Sequence, residues 1–203
     1  MAEQETEDLV LGCLVPLART HVGWGEISLQ AATYVTSQTP PLQFVSSVRA
    51  LDTAGSELLV VRDNRGEQYI LPGGRSESGE RPVDSLRREL LEEVGIEVKW
   101  GPPFLIGFLH FHHLNVRPEG YQYPYPDFVQ LVYHAELDRS VENAKLVDHF
   151  VTGFEYKLAG HVVASGLPEY ERPFLQLVQS RLTDEKRTNQ QSGSRAGRNR
   201  QVG

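Results

Sequence analysis

Three carboxylates packed into little more than one helical turn, with an arginine in front of them, are the residues best placed to do chemistry in this chain: Arg88-Glu89-Leu90-Leu91-Glu92-Glu93. At about 100° per residue, Glu89 and Glu93 fall one turn apart on one edge of a helix, and Glu92 sits beside them. Like charges at that spacing repel and destabilise an isolated helix, so the arrangement calls for a cation among them. Hard oxygen donors favour Mg²⁺ or Mn²⁺, and Mg²⁺ typically takes one or two carboxylates together with waters and phosphate oxygens. An ordinary Glu-rich helix would present these groups as a solvated acidic face. The neighbours overturn that reading. Gln68-Tyr69-Ile70 reads as a strand, Leu71-Pro72-Gly73-Gly74 as a tight turn that carries backbone close to the carboxylates, and Gly95 as a C-terminal cap.

The elements around this site follow from periodicity. Val83, Leu86, Leu90 and Val94 form one apolar stripe, which predicts a core-facing helix over Val83–Val94. Phe44–Leu51 and Glu57–Arg62 read as strands joined by a turn at Thr53-Ala54-Gly55-Ser56, with a short third strand at Tyr69–Leu71. Phe104–His113 and Phe128–Leu137 read as longer strands, joined by a loop over Asn115–Pro126. Phe174, Leu175, Leu177, Val178 and Leu182 line one side of a helix expected over Glu169–Leu182. Residues 1–40 read as an N-terminal extension packing on the domain, 41–182 as the domain that carries the carboxylates and 183–203 as a tail. Within the extension, Leu9–Leu17 and Ile27–Thr36 are apolar segments, ended by Pro40-Pro41. On its own this pattern supports a mixed α and β domain.

The spacing Gly74, five residues, Glu80, seven residues, then Arg88 to Ile96 resembles, without a gap, the signature G-x5-E-x7-R-E-U-x-E-E-x-G-U of the Nudix hydrolases, where U is a bulky aliphatic residue. At average residue usage a random chain of this length would match on the order of once in ten million tries. The resemblance implies an α+β fold, an α/β/α sandwich with a mixed β-sheet, and cleavage of a phosphoanhydride in a nucleoside diphosphate linked to another moiety X. It also implies roles. Glu89, Glu92 and Glu93 ligate Mg²⁺ (or Mn²⁺) or hold its waters, the Gly73 carbonyl completes the shell, Arg88 pairs with the glutamates, and Glu80 supports the loop. The general base, or an extra ligand, comes in similar proteins from a loop following a later strand. Here that loop offers Asp138, Glu142 and Asp148, of which Glu142 is the choice, with Glu89 the rival within the signature. Phe111 to Leu114 carry neither the proline nor the tyrosine that marks two subfamilies, so X stays open among ADP-ribose, nucleotide sugars and dinucleoside polyphosphates. Two alternatives remain: a non-catalytic nucleotide-binding regulatory domain, which in this family loses signature glutamates, and an enzyme acting on RNA 5′ ends. Many relatives are homodimers, and the residues leave oligomeric state open.

Two further groups are candidates for substrate contact. His110, His112 and His113 end a strand, with His110 and His112 on one side; the pair is a candidate metal site or, through His112, a candidate phosphate contact, against the commoner case of ordinary strand-end histidines. The loop Gly120-Tyr121-Gln122-Tyr123-Pro124-Tyr125-Pro126 is stiffened by prolines, and Tyr123 and Tyr125 either stack on a base or pack as a rigid surface loop on their own domain.

Composition agrees with an enzyme domain. At 203 residues, with 39% hydrophobic and 23% charged residues, the chain is long enough to bury a substantial core. Its single cysteine, Cys13, rules out an intrachain disulfide and fits a reducing, cytoplasmic setting. The apolar run Leu9–Ala18 is about half the length needed to span a bilayer, and Glu3, Glu5, Glu7 and Asp8 before it are the opposite of a signal peptide's basic start. No membrane association is expected. The net charge is −7, yet Lys186, Arg187, Arg195, Arg198 and Arg200 make the segment after Thr183 basic. The body is therefore more acidic still, which makes it a poor non-specific nucleic-acid binder. The tail, nearly free of aliphatic side chains, is expected to be disordered, with contact to RNA or an acidic partner the alternative.

Overall fold

The computed structural model describes residues 12, 14–95, 103–117, 119–136, 150–163 and 166–184. Eight strands among them form one mixed sheet: β1 (Ala18–Trp24), β2 (Ile27–Val35), β3 (Val45–Ala54), β4 (Glu57–Asp63), β5 (Gln68–Tyr69), β6 (Phe104–His113), β7 (Asp127–Glu136) and β8 (Val151–Leu158). Their order is β1-β2-β6-β7-β3-β4-β5, with β8 on the other side of β4. All neighbours are antiparallel except β3 and β7, which run parallel. Helix α1 spans Pro82–Glu93, and a second helix, α2, covers residues 172–184.

Alternation along the strands splits the core in two. One set of side chains, including Val48, Ala50, Leu59, Val61 and Phe108, packs with Leu86, Leu90 and Val94 of the α1 segment. The other, including Leu51, Leu58, Val60, Leu109 and Phe111, packs with Phe174, Leu175 and Val178 of α2. Successive strand residues face opposite sides, so each strand feeds both cores. The result is the expected α/β/α sandwich on a mixed sheet. Leu90 is fully buried, and truncating such a residue to alanine costs about 2–5 kcal/mol. The site residues therefore stand on a stiff support.

The edge of β3 positions the site. This strand meets β4 only at Thr53 and Ala54. Ahead of that point its free edge is taken by the glycine turn: the Ala50 amide donates to the Pro72 carbonyl and the Val48 amide to the Gly74 carbonyl, both at 2.9 Å. Buried backbone groups need such partners, and this need seats the turn against the sheet.

Several boundaries differ from the expectations above. β1 escapes the periodicity reading: it is an outer strand, ARTHVGW, with little apolar alternation to reveal it. β8 escapes it as well; VTGFEYKL sits at an edge with only Val151 fully buried. Helix α2 starts at residue 172, after a turn at 169–171, and Pro173 lies in its first turn where the missing N–H leaves no gap. Asp138, Glu142 and Asp148, Cys13 and the tail beyond residue 184 lie outside the described residues. Among the described residues no helix is long and apolar enough to cross a membrane.

Candidate active site

Helix α1 begins at Pro82 without a side-chain cap. Its first turn is tied down by another route, because the buried Ser85 hydroxyl donates to Glu80 Oε2 at 2.7 Å. Glu80 also accepts two bonds from Arg88, Nε to Oε1 at 3.2 Å and Nη2 to Oε2 at 3.0 Å. The same guanidinium reaches Glu89 at 2.8 Å, Glu92 at 3.2 Å and the Arg75 carbonyl at 2.9 Å. Four carbonyl or carboxylate groups thus converge on one cation. Arg88's hydrogen bonds, then Ser85's, hold Glu80 well below the usual carboxylate range, at about 2. Arg88 in turn is raised above its ordinary value, chiefly by its bonds to Glu80.

Glu93 is held differently. It is 7% exposed, and its carboxylate accepts the Tyr69 hydroxyl at 2.6 Å and the Gly73 amide. The Gly73 carbonyl on the far side of that residue accepts a hydrogen bond from the Arg49 guanidinium. Gly73 has φ of 130°, and a Cβ there would run into the backbone of Val48 and Arg49, so no side chain fits. Gly74 faces the Glu89 carboxylate so closely that a Cβ would overlap it. Both glycines are thus required by close approach.

The donors fit a hard divalent cation. All are oxygens, and Gly74, having no side chain, lets the Glu89 carboxylate close directly onto the turn. Among the described residues, no three His, Cys, Asp or Glu side chains already form a closed cage. Mg²⁺ does not require one, since it keeps several waters. Arg88, bridging Glu80, Glu89 and Glu92, demonstrates that these side chains reach a common positive charge.

Glu93 lines a cavity of about 1000 Å³, a volume suited to a whole nucleotide-sized ligand. Arg49 and Arg75 line it beside the glycine turn. Arg75 sits 4.4 Å from the centroid of the Tyr123 ring and donates to its hydroxyl, so the aromatic loop and the turn are fastened together. Of the three substrate-contact candidates, Tyr123 lines this cavity. The Tyr125 hydroxyl bonds the Asn115 carbonyl at 2.8 Å and its ring rests 5.2 Å from His113, so it braces the loop instead. His112 points to the α1 side, where its Nδ1 and His110 Nε2 meet Asp127 Oδ1 at 2.9 and 2.7 Å. Burial raises the Asp127 pKa, and the two histidine bonds more than offset it, so the carboxyl lies below its usual range. The histidine on the cavity wall is His113, the next residue and hence the opposite face.

Sequence reasoning missed Arg49, Tyr69, Asp52 and Glu171. Tyr69 and Arg49 carry a faint signal, one preceding the glycine turn and one interrupting an apolar strand. Asp52 is fully buried beneath the site, and burial, then the charge of Glu93, raises its pKa well above the ordinary value. Glu171, 6% exposed on the cavity wall, is pushed by burial up to about 7.

Known proteins resemble this chain in sequence and in fold. The NUDIX domain family model matches residues 43–156. The chain therefore belongs to the Nudix hydrolase family. Over 78 residues it is 31% identical to a Bacillus subtilis (strain 168) protein named "Putative ADP-ribose pyrophosphatase YjhB", covering 38% of this chain and 36% of that protein. The chain thus matches about a third of that relative's length. The fold resembles a crystal structure of a mutant of the Bacillus subtilis pyrophosphohydrolase BsRppH, with a TM-score of 0.54 at 16% identity, over 82% of this chain and 97% of that one. At that identity the likeness concerns the fold.

Proposed function

We propose that the protein is a metal-dependent pyrophosphohydrolase that cleaves the phosphoanhydride of a nucleoside diphosphate linked to a moiety X. The observation that carries this reading is the clustering of Glu80, Glu89 and Glu92 around the Arg88 guanidinium, with Glu93 on the wall of a nucleotide-sized cavity also lined by Arg49 and Arg75. An ADP-ribose-type substrate is consistent with the name of the sequence relative.

Mg²⁺ or Mn²⁺ would be held by Glu89, Glu92, Glu93 and the Gly73 carbonyl. When bound, it supplies Lewis-acid stabilisation of phosphoryl oxygens and a more acidic water. The chain's own residues do the rest. Arg49 and Arg75 offset the charge of the diphosphate, and Tyr123 fixes Arg75 in place. Arg88 keeps Glu89 and Glu92 in fixed rotamers, so little reorganisation accompanies the reaction. Tyr69 and the Gly73 amide do the same for Glu93. Water adds its oxygen to one phosphorus, the bridging P–O bond breaks toward the other phosphate, and a carboxylate takes the water's proton. Glu142 is the proposed base, with Glu89 the rival.

The test is a screen of Mg²⁺-dependent hydrolysis across ADP-ribose, nucleotide sugars, dinucleoside polyphosphates, nucleoside triphosphates and triphosphorylated RNA. Release of a nucleoside monophosphate from one of the first three classes is expected. Phosphate or pyrophosphate release from RNA alone would replace the reading. Glu142→Gln should then lower turnover at least a hundredfold, about the worth of a positioned base. A loss of about tenfold or less there, with a larger one in Glu89→Gln, would move the base into α1.

A further inference from the structure

Glu171 is a carboxyl in the cavity wall that neither the metal nor the general base accounts for. The turn that opens α2 fixes its backbone on both sides. The Thr33 hydroxyl donates to the Tyr170 carbonyl at 2.8 Å, and the Glu171 carbonyl accepts the Phe174 and Leu175 amides at 3.1 and 3.3 Å. Phe174 and Leu175 are buried in the core beneath α2, so the turn is anchored to the sheet. From there the side chain reaches the segment that leads into the glycine turn. Its Oε2 accepts the Ile70 amide at 3.5 Å, a long bond. The other oxygen has no hydrogen-bond partner among the described residues. A carboxyl that is 6% exposed and so weakly bonded is costly unless something else bonds to it.

Arg49 stands at the same place. Its guanidinium donates to the Gly73 carbonyl, three residues beyond Ile70, and its charge acts on Glu171. Both side chains line the cavity. Among the described residues, Arg49 closes an ion pair with no carboxylate. The two groups are thus within electrostatic reach of each other without being locked together. An anion at Arg49 and an ionised carboxyl beside it compete for one positive charge, and a like charge close by favours the protonated acid. Burial, partly offset by the Ile70 amide and then by Arg49, already pushes Glu171 up to about 7. A phosphate drawn to Arg49 removes part of that offset and adds repulsion. Both changes have the same sign.

We propose that Glu171 is a diphosphate-binding residue whose carboxyl, once the phosphates lie against Arg49, takes a proton from solvent and donates it in a hydrogen bond to a phosphate oxygen. This role rests on the diphosphate reading above and adds one proton to what the cavity binds. No substrate bond breaks in the step; one O–H bond forms at Glu171, and buffer supplies the proton. The resulting bond from a neutral acid to an anionic oxygen is charge-assisted and short. A neutral carboxyl accepts no proton from water, so the general base lies elsewhere. The neighbouring groups keep their states above neutral pH. Burial pushes Tyr170 up to about 12, and burial lowers His113, so the one stays protonated and the other neutral. Glu67, Glu93 and Glu169 also line the cavity. They are common to the wild type and to the variant below, so their charges cancel in the comparison.

The experiment is calorimetric titration of the full chain with ADP in EDTA, where binding is read without turnover. The range is about pH 7 to 8.5, above the second pKa of a phosphate at about 6. Wild-type affinity should fall with pH, approaching about tenfold per pH unit for one proton taken up. At about pH 8, in two buffers of different ionisation heat, the wild type should show uptake approaching one proton per ADP; this measurement needs no variant. Glu171→Gln is uncharged at every pH and keeps a donor. Its affinity should be flat across the range and exceed the wild type's by about tenfold or more at the alkaline end. Wild-type binding that does not weaken with pH, or uptake that persists in Glu171→Gln, overturns the proposal. Affinity that rises with pH overturns it as well, and would assign an ionised Glu171 to a sugar hydroxyl. Proton-linked ADP binding without hydrolysis of any substrate in the screen would sink the hydrolase reading and leave this role of Glu171 standing; hydrolysis with proton-independent binding would do the reverse.

Discussion

Glu80 and Asp52 are both carboxylates drawn out of open water by the fold, and they meet opposite fates. Glu80 shares Arg88 with Glu89 and Glu92, and its carboxyl is held down at about 2. Neither oxygen of Asp52 has a hydrogen-bond partner among the described residues, and no cation among them pairs with it. Burial, then the charge of Glu93, pushes its pKa up. The deciding factor is whether a guanidinium lies within reach, since burial alone always favours the neutral form. One region is thus arranged to keep charge available for a metal, and the layer below it is arranged to be neutral. Glu93 sits between them, bound by Tyr69 and Gly73 and felt by Asp52.

The largest effect is expected where the two regions meet. Glu93→Gln keeps the shape of the side chain and removes its charge, so turnover on the best substrate should fall by orders of magnitude while the fold persists. Steady-state kinetics and a melting curve check both halves. Near wild-type turnover would remove Glu93 from the ligand set.

A smaller loss is expected from Arg88→Met, which takes the shared cation away and leaves the ligands in place. Groups that orient ligands are typically worth about 10–100-fold in activity or metal affinity, so turnover should fall by about that factor. The acid limb of stability should change as well. Glu80 lies below its unfolded value, so its contribution is present above the ordinary glutamate range and is lost as pH falls toward about 2. Melting curves taken from about pH 6 downward should be flatter for Arg88→Met than for the wild type. An unchanged acid limb would mean that Arg88 is not what keeps Glu80 charged.

The same contrast explains what could be read from the sequence. The charged region was legible because helical geometry ties residue spacing directly to a shared edge: Arg88, Glu89, Glu92 and Glu93 lie in one element, and Gly73 and Gly74 adjoin it. The apolar stripe of α1, strand β6 to the residue, and β7 to within one residue were legible by the same local logic. Asp52 and Glu171 were not, because their states depend on tertiary burial. Arg49 meets Gly73 only through the pairing of the turn with the edge of β3. His112 and His113 show the limit most sharply. Adjacent strand residues face opposite sides, and the Asp127 that captures His110 and His112 comes from the next strand. Composition groups Tyr125 with Tyr123, and only the folded loop separates the residue that holds Arg75 from the one that braces the backbone.

The smallest effect, and the one that isolates the neutral layer, is expected from Asp52→Asn. The substitution keeps the outline of the side chain and fixes it neutral. Because the folded pKa is raised, the stability associated with the Asp52 proton is full below the ordinary aspartate range and is lost as pH rises through the folded value. Wild-type melting temperature should therefore decline with pH above that range more steeply than the variant's. Glu171 contributes a slope of the same sign, lost as pH rises toward about 7, so the comparison belongs in a Glu171→Gln background. Turnover should change little, because Asp52 is fully buried and absent from the cavity wall. Parallel pH profiles with and without Asp52 would mean that the buried carboxyl is ionised in the fold, and the contrast with Glu80 would fail at its neutral end.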